Sequence, residues 1–84
     1  MKNRPVILVY NEILKELSGG PLGKTRIARI CNIPMDRFGF YFEPLLAKGI
    51  VRSEIAQGHE TFHITEEGMK LLNDIESVLR RLSP

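Results

Sequence analysis

Phe42-Glu43-Pro44-Leu45-Leu46-Ala47-Lys48-Gly49-Ile50-Val51 is the stretch in which helical periodicity hands over to strand alternation. Phe38, Phe42 and Leu45 stand four and three residues apart, the spacing that stacks side chains on one face of a helix. The spacing predicts a helix from about Met35 to Lys48, with those three side chains as its core stripe and Phe40 and Tyr41 pointing off it. Gly49 is the stop, because glycine adopts the left-handed conformation that closes helices. Pro44 lies inside this helix and has no N–H to give the carbonyl of residue 40, so it predicts a kink or a loosened turn. Beyond Gly49, Ile50–Ile55 alternates weakly as a strand. Gln57-Gly58-His59 supplies a turn and Glu60–Ile64 alternates polar with apolar, so the two segments predict a two-stranded hairpin.

Upstream, Asn32-Ile33-Pro34 reads as a tight turn, since asparagine visits positive φ at low cost. A short helix precedes it, about Thr25–Cys31, with Thr25 expected at the N-cap. Ile27, Ile30 and Cys31 form its inner face; Arg26 and Arg29 lie on the outer one. Another helix occupies about Pro5–Leu17, with Val6, Tyr10, Ile13, Leu14 and Leu17 on one side and Val9 and Ile7 widening that apolar stripe, and Ser18-Gly19-Gly20-Pro21 ends it. Downstream, Thr65 caps a last helix running to Leu82, with Glu66 and Glu67 at its positive end and Arg80 and Arg81 at its negative end. Leu72, Ile75, Leu79 and Leu82 follow three-four-three spacing, a short apolar seam. The order is helix, helix, turn, helix, hairpin, helix, an α+β plan in one domain over residues 1–84.

Three segments in this order resemble winged helix-turn-helix proteins. Phe42–Val51 is similar to the end of a recognition helix and the start of the wing, Lys24-Thr25-Arg26-Ile27 to the opening of the second helix, and Phe62-His63-Ile64-Thr65-Glu66-Glu67-Gly68 to the passage from wing to last helix. Together they span roughly residues 5–82 and resemble the small archaeal winged-helix DNA-binding proteins and predicted transcriptional regulators. That resemblance implies a double-stranded DNA partner and a homodimer formed through the last helix. The chain departs from the pattern at Pro44 and in its shorter last helix.

Charge is distributed to match. The net charge is +2, but residues 1–52 hold nine Lys or Arg against four acids, while residues 53–84 hold three against six. A basic half beside an acidic half points to one polyanion-facing surface and one with another task. Lys24, Thr25, Arg26 and Arg29 are placed to meet phosphates where the helix before the turn crosses the backbone. Arg37 falls in the first turn of the next helix, where arginine pairs with guanine; Tyr41 is expected one turn further along as a phosphate donor, and Phe40 near a thymine methyl. Arg52, Gln57 and His59 are the wing candidates. Leu72, Ile75, Leu79 and Leu82 are the dimerisation candidates, with 65–82 as the dimerisation helix.

Other chemistry finds little footing. The single Cys31 has no partner for a disulfide or a metal knuckle and reads as a small core residue. His59 and His63 lack a third ligand of suitable type. Gly19–Thr25 lacks the glycine spacing and the preceding strand of a phosphate-binding loop. No arrangement for catalysis stands out, so the expectation is a cytoplasmic, non-enzymatic protein without cofactor, metal or membrane segment, and without a separate effector domain. The alternative of the same fold is a winged helix that contacts protein within a larger complex, for which the aromatics of the third helix are the motive.

Overall fold

A computed structural model describes residues 4–83. Met1, Lys2, Asn3 and Pro84 lie outside them, and with these the outer ends of the expected 1–84 domain. The elements are α1 (Val6–Leu17), α2 (Lys24–Ile30), a 3-10 turn (Met35–Arg37), α3 (Phe38–Ala47), β1 (Val51–Ala56), β2 (His59–Ile64) and α4 (Glu66–Leu82). This is the expected α+β winged helix-turn-helix order.

Several local signals act as read. Asn32 has φ 57° and Gly49 φ 71°, and each closes a helix in the same way. Past Asn32, the Ile33 amide bonds the Ala28 carbonyl at 2.8 Å; past Gly49, the Ile50 amide bonds the Leu45 carbonyl at 2.9 Å. A left-handed residue followed by a six-residue backward bond satisfies carbonyls that the helix end leaves unpaired, and it plants the next apolar side chain in the core. Gln57 (φ 53°) and Gly58 (φ 79°) form the two-residue loop of the hairpin, whose paired positive φ values match the twist of the strands. His59 is thereby the first residue of β2, opposite Ala56, and not part of the turn.

The core gathers one face of every helix around Phe42. Its ring stacks on Phe38 at 4.7 Å between centroids and meets Phe62 of β2 edge-on at 4.6 Å. Leu22, between α1 and α2, adds a backbone bridge to Phe62 in both directions, at 2.8 and 3.2 Å. The hairpin is therefore held at its base from two sides while Arg52–Glu60 stays exposed.

Of the glycines, Gly68 at the start of α4 stands in the closest surroundings. Thr65 caps the helix by accepting from the Gly68 amide at 3.0 Å, and its hydroxyl lies 2.6 Å from the Gly49 carbonyl. A Cβ on Gly68 would stand 2.2 Å from the Ile50 carbonyl oxygen and 2.6 Å from the Ile64 side chain. Only glycine lets α4 approach the end of α3 and the root of the wing together.

Four readings of the helices need correction. The α2 cap is Gly23, with Thr25 one residue inside the helix. Ala28 takes the inner position expected for Ile30, which is exposed. In α1, Val9 is sealed in the core while Val6 faces outward; Val9, Ile13 and Leu17 keep a strict four-residue rhythm that Val6 does not share. The third helix begins with a 3-10 turn that ends at Arg37, and the α-helix runs through Pro44 without a break. Pro44 is on the exposed side of that helix, where the carbonyl it leaves without a donor can face water.

Candidate functional site

The site is assembled around the amino-terminal end of α3. The turn at Asn32–Pro34 delivers the 3-10 segment and α3 beside α2, and two cations come to rest on the aromatic rings that start α3. The Lys24 ammonium lies 5.5 Å from the centroid of Phe38, and the Arg37 guanidinium 5.7 Å from that of Phe40. Contacts of this kind orient a long side chain with only a modest energy, of order ~1 kcal/mol at an exposed site. Thr25 and Arg29, one turn apart on α2, line a cleft with Asn32, Pro34 and Met35, directly against the entry to α3. Lys24, Thr25, Arg29 and Arg37 thus surround one helix terminus.

Arg26 is exposed as well, but it lines a different cleft, with Glu16, Leu22 and Ile30 between α1 and α2. It belongs to the flank of the site and not to its centre. A further arginine had no place in the sequence reading. Arg4 is engaged internally: its guanidinium bonds Glu12 and the carbonyls of Cys31 at 2.7 Å and Asn32 at 3.1 Å. This clamp fixes the end of α2 just before the turn. Cys31 behind it is buried, and its thiol is pushed up to about 11, first by burial and then by the charges of Glu12 and Glu16. A thiol so held is protonated at neutral pH and serves as packing.

Tyr41 is the main correction to the site. It is 9% exposed and part of the core cluster, whereas its neighbour Phe40 is 62% exposed. The buried set on α3 is Phe38, Tyr41, Phe42 and Leu45, an i, i+3, i+4, i+7 stripe. That same spacing places Tyr41 in the core with Phe38, Phe42 and Leu45, not on the outer face expected for it. Tyr41 is not on the outer face; its ring meets Phe40 edge-on at 5.2 Å and 81° and braces it from behind.

The exposed residues of α3 are therefore Gly39, Phe40, Glu43, Pro44, Leu46 and Ala47. No Lys or Arg lies in Phe38–Ala47. Arg52 is the one Lys or Arg of the wing strands. The register pairs Arg52 with His63, Glu54 with Thr61 and Ala56 with His59, so Arg52, His59 and His63 share the side of the hairpin that also holds Glu54. The His63 Nε2 is 3.0 Å from the Glu54 carboxylate. Gln57 is at the wing tip, five residues from Arg52, roughly 17 Å at strand rise. Arg52 is at the root of the wing, and these candidates do not form one cluster. Among the described residues, no group of three or more His, Cys, Asp or Glu is arranged to hold a metal ion.

At the other end of the molecule, the apolar seam of α4 divides. Leu72 and Ile75 are buried in the protomer's own core and Leu79 packs against it, while Leu82 is 78% exposed. Three of the four residues expected at a dimer seam thus already have partners within the protomer, and Leu82 alone does not. Exposed apolar side chains remain at Val78 and Leu82 on α4 and at Val6, Ile7 and Leu8 on α1. Asn11, one turn beyond Ile7 and Leu8, lines a cleft with Leu79, Arg80 and Ser83, and its Oδ1 is buried with no hydrogen-bond partner.

A family model for winged helix-turn-helix domains matches residues 3–83. The chain belongs to the winged helix-turn-helix family. No curated protein matches it. Within this family plan, α2 and α3 are the helix-turn-helix pair and β1–β2 is the wing. Among the described residues, no helix is long and apolar enough to cross a membrane.

Proposed function

We propose that this winged helix-turn-helix protein binds double-stranded DNA through α2, α3 and the wing. In this reading it works without a catalytic site, as a transcriptional regulator or chromatin-associated protein. The observation that carries the reading is the set of exposed cations on the elements before and after α3: Lys24 and Arg29 on α2 and Arg37 at the helix entry, with Arg26, Lys48 and Arg52 to its flanks. A helix-turn-helix inserts its second helix in the major groove while the first crosses the backbone, which puts those cations at phosphate height. The resemblance to small archaeal regulators supports the same role. Thr25 and Gln57 would add neutral contacts to phosphate and sugar, and His59 a further wing contact.

The reading extends to a homodimer formed at the opposite end, with α4 over residues 65–82 as its main element. Leu82 and Val78, joined by Val6, Ile7 and Leu8 of α1, support it, as does the unpartnered Asn11 amide beside Arg80. A two-fold axis there pairs the same patch with itself and leaves both α3 helices free.

Titration of mixed-sequence duplex at about 50 and 200 mM salt tests the proposal. Affinity is expected to fall with a log–log slope of about −0.9 for each phosphate contacted. Removing Arg26 and Arg29 together should flatten that slope and weaken all duplexes alike. No binding of any duplex at ~50 mM salt would overturn the reading in favour of a winged helix that contacts protein within a complex.

A further inference from the structure

Three features of α3's outer face are unexplained by the fold itself. Phe40 is 62% exposed although Phe38, Tyr41 and Phe42 around it are buried. Gly39 sits inside the helix at an ordinary φ, and a Cβ there would meet only the Glu43 side chain, at 3.9 Å; alanine would fit, and glycine weakens the helix. Glu43 is the only charged residue in Phe38–Ala47 and carries the wrong sign for a phosphate-binding helix. Lys24, Arg29 and Arg37 stand at the amino-terminal end of this face and no Lys or Arg lies on it.

From this we infer that α3 reads bases through a methyl contact and an amino contact: Phe40 packs on the 5-methyl group of a thymine, and Glu43 accepts a hydrogen bond from the amino group of a neighbouring cytosine. The inference rests on the DNA-binding reading above and names what the same surface recognises. Thymine alone presents a methyl group in the major groove, and a ring is a suitable surface to cover it. A carboxylate lowered into a groove between phosphates is repelled unless a base gives it a proton to accept, and cytosine N4 is the donor that carboxylates meet. Residues 40 and 43 are separated by three residues of helical rise, about 4.5 Å, close to one base-pair step. Tyr41 behind Phe40 and Arg37 beside it hold the ring in one orientation. Gly39 lets the backbone of this turn approach the base edges without a side chain between them. An acidic polymer is the complement of the surrounding cations, which favours DNA over a protein as the occupant of the Phe40 ridge.

The test uses the full chain and two versions of one mixed-sequence duplex, built with thymine or with uracil throughout. Wild type is expected to bind the thymine duplex about fourfold more tightly, the discrimination that burying one methyl-sized group produces. Phe40→Ala should bind both equally, and Arg26→Ala should weaken both while keeping the ratio. In selection from a random duplex pool, wild type should enrich sites with thymine beside cytosine, and Glu43→Gln should exchange that cytosine for adenine, the base that glutamine pairs with. Salt-dependent binding that ignores the methyl group, or a ratio unchanged by Phe40→Ala, overturns the inference and leaves the DNA-binding reading standing. Unchanged affinity of Phe40→Ala for the thymine duplex assigns the ring to a protein partner and overturns it too. Absence of any duplex binding removes both.

Discussion

The junction at Thr65–Gly68 and the outer face of α3 are two regions built on opposite terms. At the junction Thr65 and Gly68 are each accounted for by something inside the chain. Thr65 caps α4 and ties it to the end of α3, and Gly68 is the residue that fits against the Ile50 carbonyl. On α3, Gly39 and Pro44 each weaken a helix, and Phe40 exposes apolar surface that Tyr41 and Arg37 brace without covering. Residues demanded by the fold indicate how the chain holds together; residues that the fold does not need indicate what it meets. Two glycines in one short chain make the contrast, and it can be measured.

The largest effect is expected at the junction. Gly68→Ala places a Cβ within 2.2 Å of a backbone oxygen that cannot swing away, so stability should fall by about 4 kcal/mol or more, read by chemical denaturation. A loss under about 1 kcal/mol would show that the junction yields easily. Leu72→Ala should follow at about 3 kcal/mol, because that side chain is in the core. Leu82→Lys, on the same stripe but exposed, should leave stability within about 0.5 kcal/mol while halving the mass measured by light scattering. No change in mass would remove Leu82 from the proposed dimer contact.

These pairs also mark what was legible in the sequence. The element order, both left-handed helix closures, the hairpin and the Thr65 cap are written in local chemistry: Asn32, Gly49, Gln57-Gly58 and Thr65 act within a few residues of themselves. The division of the α4 seam is not local. Periodicity shows that Leu72, Ile75, Leu79 and Leu82 share a face, but which of them the protomer covers depends on where the rest of the core ends. The Leu22–Phe62 bridge joins residues forty positions apart and has no short-range signal. Ile30 is the more hydrophobic residue, but on this short helix angular position decides, and Ala28 takes the core side. Of the candidate site, Lys24, Thr25, Arg29 and Arg37 do converge at one helix end, Arg26, Arg52 and the wing tip lie apart from it, and Tyr41 belongs to the core. Gly39 and Glu43 were missed because their signal is negative, a helix weakened and a charge of the wrong sign.

Thr65→Ala should lose between about 1 and 2 kcal/mol, the worth of a cap that also tethers. The smallest effect has the opposite sign. Gly39→Ala should stabilise the protein by just under ~1 kcal/mol and at the same time weaken duplex binding, as a methyl group enters the approach to the bases. Stability and binding moving together at Gly39 would erase the contrast between the two glycines.

Amide chemical-shift mapping during a duplex titration locates the working surface without any substitution. The account predicts that the largest shifts fall in residues 24–30, 35–47 and 52–63, on α2, α3 and the wing, while residues 6–11 of α1 and 78–82 of α4 stay nearly still. Largest shifts at that α1/α4 end, with α3 unmoved, would contradict it.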